Sequence, residues 1–176
     1  RFDGLTRIQS GADTPHSHNL LATRNVADHT RRIMAETTKR VAFITGISGQ
    51  DGYYLSAFLA EKGYEVHGLI PCNASGIGEP PGINRHYGDL ADGGNFDALL
   101  DAIKPDEIYN LAAQSHVRLS FDLPVYTANV TGVGVLRWLE SIRRHQLRTG
   151  RAVKFYQASS SEMFGKVPTS PQNEET

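Results

Sequence analysis

Cysteine, net charge and long apolar runs are all scarce in this chain, and each shortage excludes a class of protein. A single cysteine, Cys72, among 176 residues excludes an internal disulfide framework and a cysteine-rich metal site, and favours a reducing, cytoplasmic location. A formal net charge of −1 gives no electrostatic reason to expect a nucleic acid or an anionic membrane as a partner. No apolar run approaches the ~18 residues that a membrane-spanning helix needs, so we expect no membrane span.

The first 33 residues differ in composition from the rest of the chain. They are polar, rich in Ser, Thr, Asn and Arg, and lack clear periodicity; Met34, which follows them, looks like a natural start. We expect residues 1–33 to be a disordered leader or translated upstream sequence. A transit peptide is the alternative, although the acidic residues count against it. The histidines of this segment lack helical spacing, so no metal site is predicted.

Glycines recur at every third position after the first apolar run. Gly46, Gly49 and Gly52 stand between that run, which begins at Val41, and an amphipathic helix. In a dinucleotide site the first glycine makes a tight turn, the second lets backbone N–H groups approach a pyrophosphate, and the third allows close helix packing. The pyrophosphate then lies at a helix N-terminus, where free N–H groups meet it. Because the spacing is not Gly-x-Gly-x-x-Gly, a glycine-rich turn without a ligand remains the alternative.

Strand and helix patterns alternate along residues 34–176. After the first strand, four more are predicted at residues 64–70, 83–87, 107–111 and 153–158. Helices are predicted after the glycines, over residues 96–103 and from Pro124 onwards; the last has apolar residues at every third position, namely Val130, Val133, Leu136, Leu139 and Ile142. This alternation predicts an α/β fold with a doubly wound parallel sheet, truncated after about the fifth strand, and ligands at the carboxyl ends of the strands.

Four motifs at those strand ends resemble the extended short-chain dehydrogenase/reductases. They occupy residues 45–52, 88–90, 109–117 and 155–165. Within that family the chain looks most like the GDP-mannose 4,6-dehydratases, over residues 38–176. The Gly-Gln-Asp-Gly and Phe-Tyr-Gln-Ala-Ser blocks together are far more specific than the glycine turn alone. The resemblance implies that residues 34–176 are the N-terminal part of a Rossmann-type NAD(P)-binding domain.

The resemblance also implies a cofactor, NADP, with NAD as the alternative. It assigns the pyrophosphate to residues 46–51, the adenine to Asp89 and Leu90, and the nicotinamide side to residues 111–115 and Tyr126. Asp89 could instead cap a turn, Tyr126 could be a packed aromatic, and His116 is better explained as a turn histidine. The implied cofactor residues are Gly46, Ile47, Gly49, Gln50, Asp51, Gly52, Asp89, Leu90, Leu111, Ala112, Ala113, Gln114, Ser115 and Tyr126.

Two catalytic residues are implied by the same resemblance. Ser160 aligns with the family's catalytic hydroxyl and Glu162 with its acid/base. Residues i and i+2 of an extended segment point the same way, so both could face one sugar ring. The implied reaction converts GDP-mannose, or a related nucleotide sugar, by oxidation at C4, loss of the C5 proton to Glu162, loss of water from C6 and hydride return to C6. A helix or turn cap is the alternative for residues 159–161.

Two departures from the family pattern limit this interpretation. No Tyr-x-x-x-Lys motif follows the Ser-x-Glu block, so we expect the chain to be a fragment that is inactive alone, and a homo-oligomer when full length. Pro71 and Cys72 stand where the family has an Arg pair for the NADP 2′-phosphate. The alternatives are another sugar-nucleotide epimerase or reductase, and a non-catalytic dinucleotide-binding module.

Overall fold

The structure is a computed structural model that describes residues 39–72 and 82–176. Everything described below belongs to the compact unit of residues 39–176. The predicted leader at residues 1–33 therefore lies outside the described residues and stays a prediction.

Five parallel strands form one sheet in the order β3-β2-β1-β4-β5. This confirms the predicted doubly wound parallel sheet, in which β1 is central and the chain leaves it towards both sides. Predicted and observed strands differ only at their ends. The strands are β1 Val41–Thr45, β2 Glu65–Ile70, β3 Asn84–Tyr87, β4 Glu107–Asn110 and β5 Lys154–Gln157.

Three of the α-helices end at residues that commonly terminate a helix. Gly63, at φ +81°, follows the first helix and Gly150, at φ +70°, follows the last. A residue in the left-handed conformation ends a helix, and glycine adopts that conformation with little strain because it has no Cβ. Lys104, at φ 52°, and Pro105 end the second helix. The α-helices are α1 Gln50–Glu61, α2 Phe96–Ile103, α3 Val117–Asp122, α4 Pro124–Ala128 and α5 Gly134–Thr149; short 3₁₀ turns span Gly93–Asn95 and Ser161–Phe164.

The helix that was predicted from Pro124 onwards is interrupted. A π-helical turn at Asn129–Val133 separates α4 from α5. Leu136 and Leu139 are 64% and 45% exposed, whereas Trp138 and Ile142 are buried. The period-three pattern was therefore right at Val130 and Ile142 and wrong at Leu136 and Leu139, because every third residue lies about 60° further round an α-helix and α5 packs on α2 through one side only.

The sheet is covered on both faces by apolar clusters. On one face Phe43, Phe96 and Trp138 meet, with the Phe96 and Trp138 rings stacked 4.0 Å apart between centroids. On the other face Ile44 and Ile47 pack against Leu59 of α1. Buried aromatic side chains of this kind contribute about 3–5 kcal/mol each when truncation to alanine is the reference. The two clusters hold β1 in the middle and fix where its carboxyl end lies.

A polar cluster ties the sheet together at the opposite, amino-terminal end of the strands. Glu107 of β4 is buried and contacts Arg40, while the Tyr109 hydroxyl donates to its carboxylate at 2.7 Å. Lys154 of β5 approaches the same carboxylate at 3.7 Å. Burial, followed by the hydrogen bond to Glu107, raises the pKa of Tyr109 to about 12. This end of the sheet is thus occupied by its own ion pairs, and the carboxyl end remains for a ligand.

The described residues contain neither a metal-binding cluster nor a membrane-spanning helix. Among residues 39–72 and 82–176, no group of three or more His, Cys, Asp or Glu side chains is arranged to hold a metal ion. Within the same ranges, no helix combines the length and apolar character that crossing a membrane requires.

Candidate functional site

A cavity of about 320 Å³ opens at the carboxyl ends of β1, β2, β3 and β4. It lies where the chain leaves β1 towards opposite sides of the sheet, which is the position at which doubly wound folds bind ligands. Most of the predicted cofactor residues line it. They are Gly46, Gly49, Asp89, Leu90, Leu111, Ala112, Ala113, Ser115 and Tyr126.

The glycine turn forms the wall of the cavity next to β1. Gly46 has φ +70°, and a Cβ there would lie 2.8 Å from the Ala112 nitrogen, so no side chain fits. A Cβ on Gly52 would lie 2.3 Å from the Gly46 carbonyl oxygen, which packs the first turn of α1 onto the loop. Gly49 is different, because its nearest neighbour would be 3.2 Å away and its backbone lines the cavity. The first and third glycines therefore leave no room for a side chain, and the first and second line the cavity.

The N-terminus of α1 points its first turn towards this wall. Gly49 is the N-cap residue and supplies no side-chain hydrogen bond to the helix. The first N–H groups of an α-helix lack carbonyl partners within the helix and carry its positive dipole end. The Gly49 N–H itself donates to the Gly46 carbonyl at 3.0 Å, which closes the turn. This combination offers N–H donors to an anion without a competing side chain.

The opposite wall follows β3. Asp89 lines the cavity, and its carboxylate also accepts the Ala91 N–H at 2.8 Å. Asp89 therefore caps a turn, as the alternative interpretation expected, and it also lines the cavity. Leu90 is 4% exposed and Val130, from the π turn, is 6% exposed; both belong to the lining and to the buried apolar cluster.

The floor of the cavity is held by a buried chain of hydrogen bonds across three strands. The Thr45 hydroxyl donates to Asn110 Oδ1 at 2.6 Å, and Asn110 Nδ2 donates to Gln157 Oε1 at 2.7 Å. The Ala112 N–H donates to the Thr45 hydroxyl oxygen at 3.1 Å. Thr45 and Asn110 are fully buried, so each polar atom needs its partner. The loop after β4 is thereby fixed relative to β1.

The loop after β4 continues into a small polar network. Gln114 accepts the His116 N–H at 2.7 Å and donates to the Thr127 hydroxyl at 2.9 Å, so its side chain braces the loop against α4. His116 caps α3 by accepting the Leu119 N–H, as the turn-histidine interpretation expects. Tyr126, on α4, is 47% exposed and lines the cavity, which places it at the site and not in the packed core.

Five of the residues implied by the resemblance do not line the cavity. Ile47 is fully buried, and its side chain covers Gly68 of β2, so this residue presents no surface to a ligand in the cavity. Gln50 and Asp51 are exposed in the first turn of α1, Gly52 is buried beneath it, and Gln114 is occupied by the loop network. Three further lining residues, Ser48, Pro71 and Gly88, lie in segments that the sequence analysis had named, whereas Leu69 and Val130 were not indicated as site residues.

The predicted catalytic pair lies apart from the cavity lining. Ser160 and Glu162 follow β5 and are exposed. Ser160 is the N-cap of the 3₁₀ turn Ser161–Phe164, and its hydroxyl accepts the Glu162 N–H at 3.2 Å. The expectation of an extended segment with both side chains on one side was wrong, because the chain turns into a 3₁₀ helix directly after Ser160. The capping alternative for this segment is present in the structure.

The sequence pattern of a family described as "GDP-mannose 4,6 dehydratase" matches residues 43–176, which is more than half of the chain. The chain belongs to this family. It is 52% identical over 151 residues to GDP-mannose 4,6 dehydratase 1 of Arabidopsis thaliana, covering 78% of this chain and 42% of that protein. It is 49% identical over 150 residues to the GDP-mannose 4,6-dehydratase of Vibrio cholerae, covering 78% of this chain and 40% of that protein. The chain thus spans about two fifths of these curated dehydratases.

Solved structures support the fold of this dehydratase-family chain. A UDP-glucose 4-epimerase matches with a TM-score of 0.66 at 23% identity, over 78% of this chain and 40% of that one, which shows the fold alone. The UDP-glucose 4-epimerase of Thermus thermophilus, solved in complex with NAD, matches with a TM-score of 0.55 at 28% identity, over 60% of this chain and 34% of that one.

Proposed function

We propose that the chain is the dinucleotide-binding part of a GDP-mannose 4,6-dehydratase, with NADP as cofactor and NAD as the alternative. The substrate is GDP-mannose or a related nucleotide sugar, and the product is the 4-keto-6-deoxy sugar nucleotide. Family membership and the names of the matched relatives support the reaction class. A cytoplasmic location and a homo-oligomeric full-length protein are part of the same proposal.

One observation carries the cofactor part of the proposal. Turns that follow four different strands converge on a single cavity, and the turn after β1 exposes the backbone of Gly49 at the N-terminus of α1. A pyrophosphate needs N–H donors and close backbone approach, and both are available at this wall. The residues present therefore fit a dinucleotide. The epimerase of Thermus thermophilus, which is 28% identical, was solved with NAD, and this supports the same class of cofactor.

The individual residues have separate duties in this proposal. The backbone of residues 46–51 holds the pyrophosphate, Asp89 and Leu90 hold the adenosine end, and Tyr126 stands beside the nicotinamide end. A bound nicotinamide dinucleotide supplies the hydride acceptor and donor. Ser160 and Glu162 are proposed to act on the sugar, where the Glu162 carboxylate takes the C5 proton.

The alternative of a non-catalytic dinucleotide-binding module draws on a specific observation. Ser160 uses its hydroxyl as a cap, and neither Ser160 nor Glu162 lines the cavity. The two proposals share the dinucleotide site and differ only at the turn after β5.

Titration calorimetry of the 176-residue chain with NADP and with NAD tests the shared part. We expect measurable binding to the wild-type chain, and a loss of at least about tenfold in affinity for Gly49→Val, because the branched side chain would occupy the space that the pyrophosphate needs. The matched control is Gly132→Val, since Gly132 is a helical glycine whose added Cβ would meet nothing within 4 Å. A folded wild-type chain that binds neither cofactor contradicts the proposal. Equal affinity of wild type and Gly49→Val contradicts the assigned wall.

A further inference from the structure

Arg137 of α5 joins the two sides of the cavity without lining it. One guanidinium nitrogen donates to the Leu90 carbonyl at 3.0 Å and to the Asn129 carbonyl at 3.3 Å. The other donates to Asn129 Oδ1 at 2.7 Å. Leu90 belongs to the turn after β3 and Asn129 opens the π turn, so a single partly buried side chain connects two segments that are distant in sequence.

Both acceptors are next to, or part of, the cavity lining. Leu90 lines the cavity from the β3 side, and Val130, which follows Asn129, lines it from the helical side. Hydrogen bonds from a charged donor are among the stronger ones in proteins, and these are partly buried. Arg137 therefore fixes how far the Leu90 wall stands from the Val130 wall.

Two glycines confirm that these segments are packed at their closest approach. A Cβ on Gly134, at the start of α5, would lie 2.9 Å from Leu90 Cβ and 3.0 Å from the Leu90 carbonyl oxygen. A Cβ on Gly93 would lie 2.7 Å from Arg137 Cδ, so the stem of the arginine is pressed against the 3₁₀ turn. Leu90 is held between the guanidinium and the bare backbone of Gly134, and cannot shift unless one of them moves.

We propose that Arg137 is a positioning residue that sets the width of the dinucleotide cavity at its adenosine end. The inference rests on the proposed dinucleotide function of the same site. A purely structural role would make Arg137 change only the fraction of folded protein. A positioning role changes the affinity of the folded protein as well, because Leu90 and Val130 no longer stand at the separation that the ligand needs.

Calorimetric titration with NADP and with ADP-ribose separates these two roles. The binding stoichiometry reports the folded fraction, and the dissociation constant reports the geometry of the folded site. We expect Arg137→Met to weaken both ligands by about tenfold at a temperature well below its unfolding transition. The matched control is Arg143→Met, since Arg143 lies on the same helix, is exposed and pairs with Glu140. It should leave both dissociation constants unchanged.

A conservative variant and an independent variant complete the test. Arg137→Lys keeps one donor for the Leu90 carbonyl and should restore part of the lost affinity. Gly134→Ala displaces Leu90 from its other side and should weaken the same two ligands without touching Arg137. If Arg137→Met fails to show a thermal transition, Arg137→Lys and Gly134→Ala decide the question, and unchanged dissociation constants in both overturn the inference.

Three further outcomes of these titrations would contradict the inference or the proposed function. Reduced stoichiometry with an unchanged dissociation constant in Arg137→Met assigns the residue a structural role only and overturns the inference. Weaker binding of NADP with unchanged binding of ADP-ribose overturns the assignment to the adenosine end. Absence of binding by the wild-type chain contradicts the proposed function first, and this inference falls with it; that result is distinguishable because it does not depend on any variant.

Discussion

The turn after β1 and the turn after β5 lie at the same edge of one parallel sheet but are built differently. The first is packed on several sides, since Gly46 touches the backbone after β4 and Gly52 lies against the Gly46 carbonyl. The second, from Ser159 to Phe164, is exposed, and its recorded hydrogen bonds run within the turn itself. Strand position alone therefore does not make a site, because a ligand wall also needs neighbours that hold its backbone in place.

The largest contrast between the two turns is expected in stability. Gly52→Val would place a Cβ 2.3 Å from the Gly46 carbonyl oxygen and 2.6 Å from Ile47 Cα, both backbone atoms that cannot move aside. Overpacking of this kind costs about 1–3 kcal/mol or more, so we expect a drop of about 3 kcal/mol in the free energy of unfolding. Urea denaturation measures it, with Gly132→Val as the control. An unchanged midpoint would show that the turn is not packed as described.

A smaller effect is expected at the rim of the first turn's cavity, where the choice of cofactor can be tested. Pro71 lines the cavity after β2, and no guanidinium stands at residues 71–72. Pro71→Arg should raise the affinity for NADP by about tenfold and leave NAD unchanged, because a guanidinium binds a phosphate bidentately. Paired titrations with both cofactors measure the ratio, and Pro71→Gln controls for loss of the proline. Equal changes for NADP and NAD would remove Pro71 from the 2′-phosphate end.

The smallest effect is expected at the turn after β5. Ser160→Ala removes the cap of a short, exposed 3₁₀ turn, and we expect the free energy of unfolding to fall by about 0.5 kcal/mol. The affinity for NADP should stay within about twofold of wild type, since Ser160 does not line the cavity. Thermal denaturation and titration measure both. A large loss of cofactor affinity would mean that this turn reaches the dinucleotide, and the contrast between the two turns would be wrong.

The sequence was informative where local chemistry decides the structure. Glycine spacing predicted the turn after β1, because Gly46 needs a positive φ and Gly52 leaves no room for a side chain. The parallel sheet was predictable because apolar strands alternate with amphipathic helices along the chain. In a parallel sheet the carboxyl ends of all strands lie at one edge, which is why most predicted cofactor residues line the cavity.

The sequence was uninformative where distant contacts decide. The π turn at Asn129–Val133 has no local signature, and the exposure of Leu136 and Leu139 depends on which side of α5 packs against the rest of the domain. Arg137 looks like an ordinary surface arginine until the fold brings Leu90 to it, since the two are 47 positions apart. Ser160 could be a cap or a reactive hydroxyl in any sequence, and only the 3₁₀ turn after it shows the cap.

The hydrogen bond between the Ala112 amide and the Thr45 hydroxyl can report on movement of the loop after β4. The Ala112 amide proton is bound by that hydroxyl, which belongs to β1, whereas Ala112 itself follows β4. Hydrogen–deuterium exchange at a loop amide normally follows local fraying. At Ala112 exchange requires the loop after β4 to move away from Thr45 of β1, so one amide in the loop measures how firmly that loop is held against the central strand. A ligand that binds at this loop and holds it against β1 would slow the exchange of the Ala112 amide.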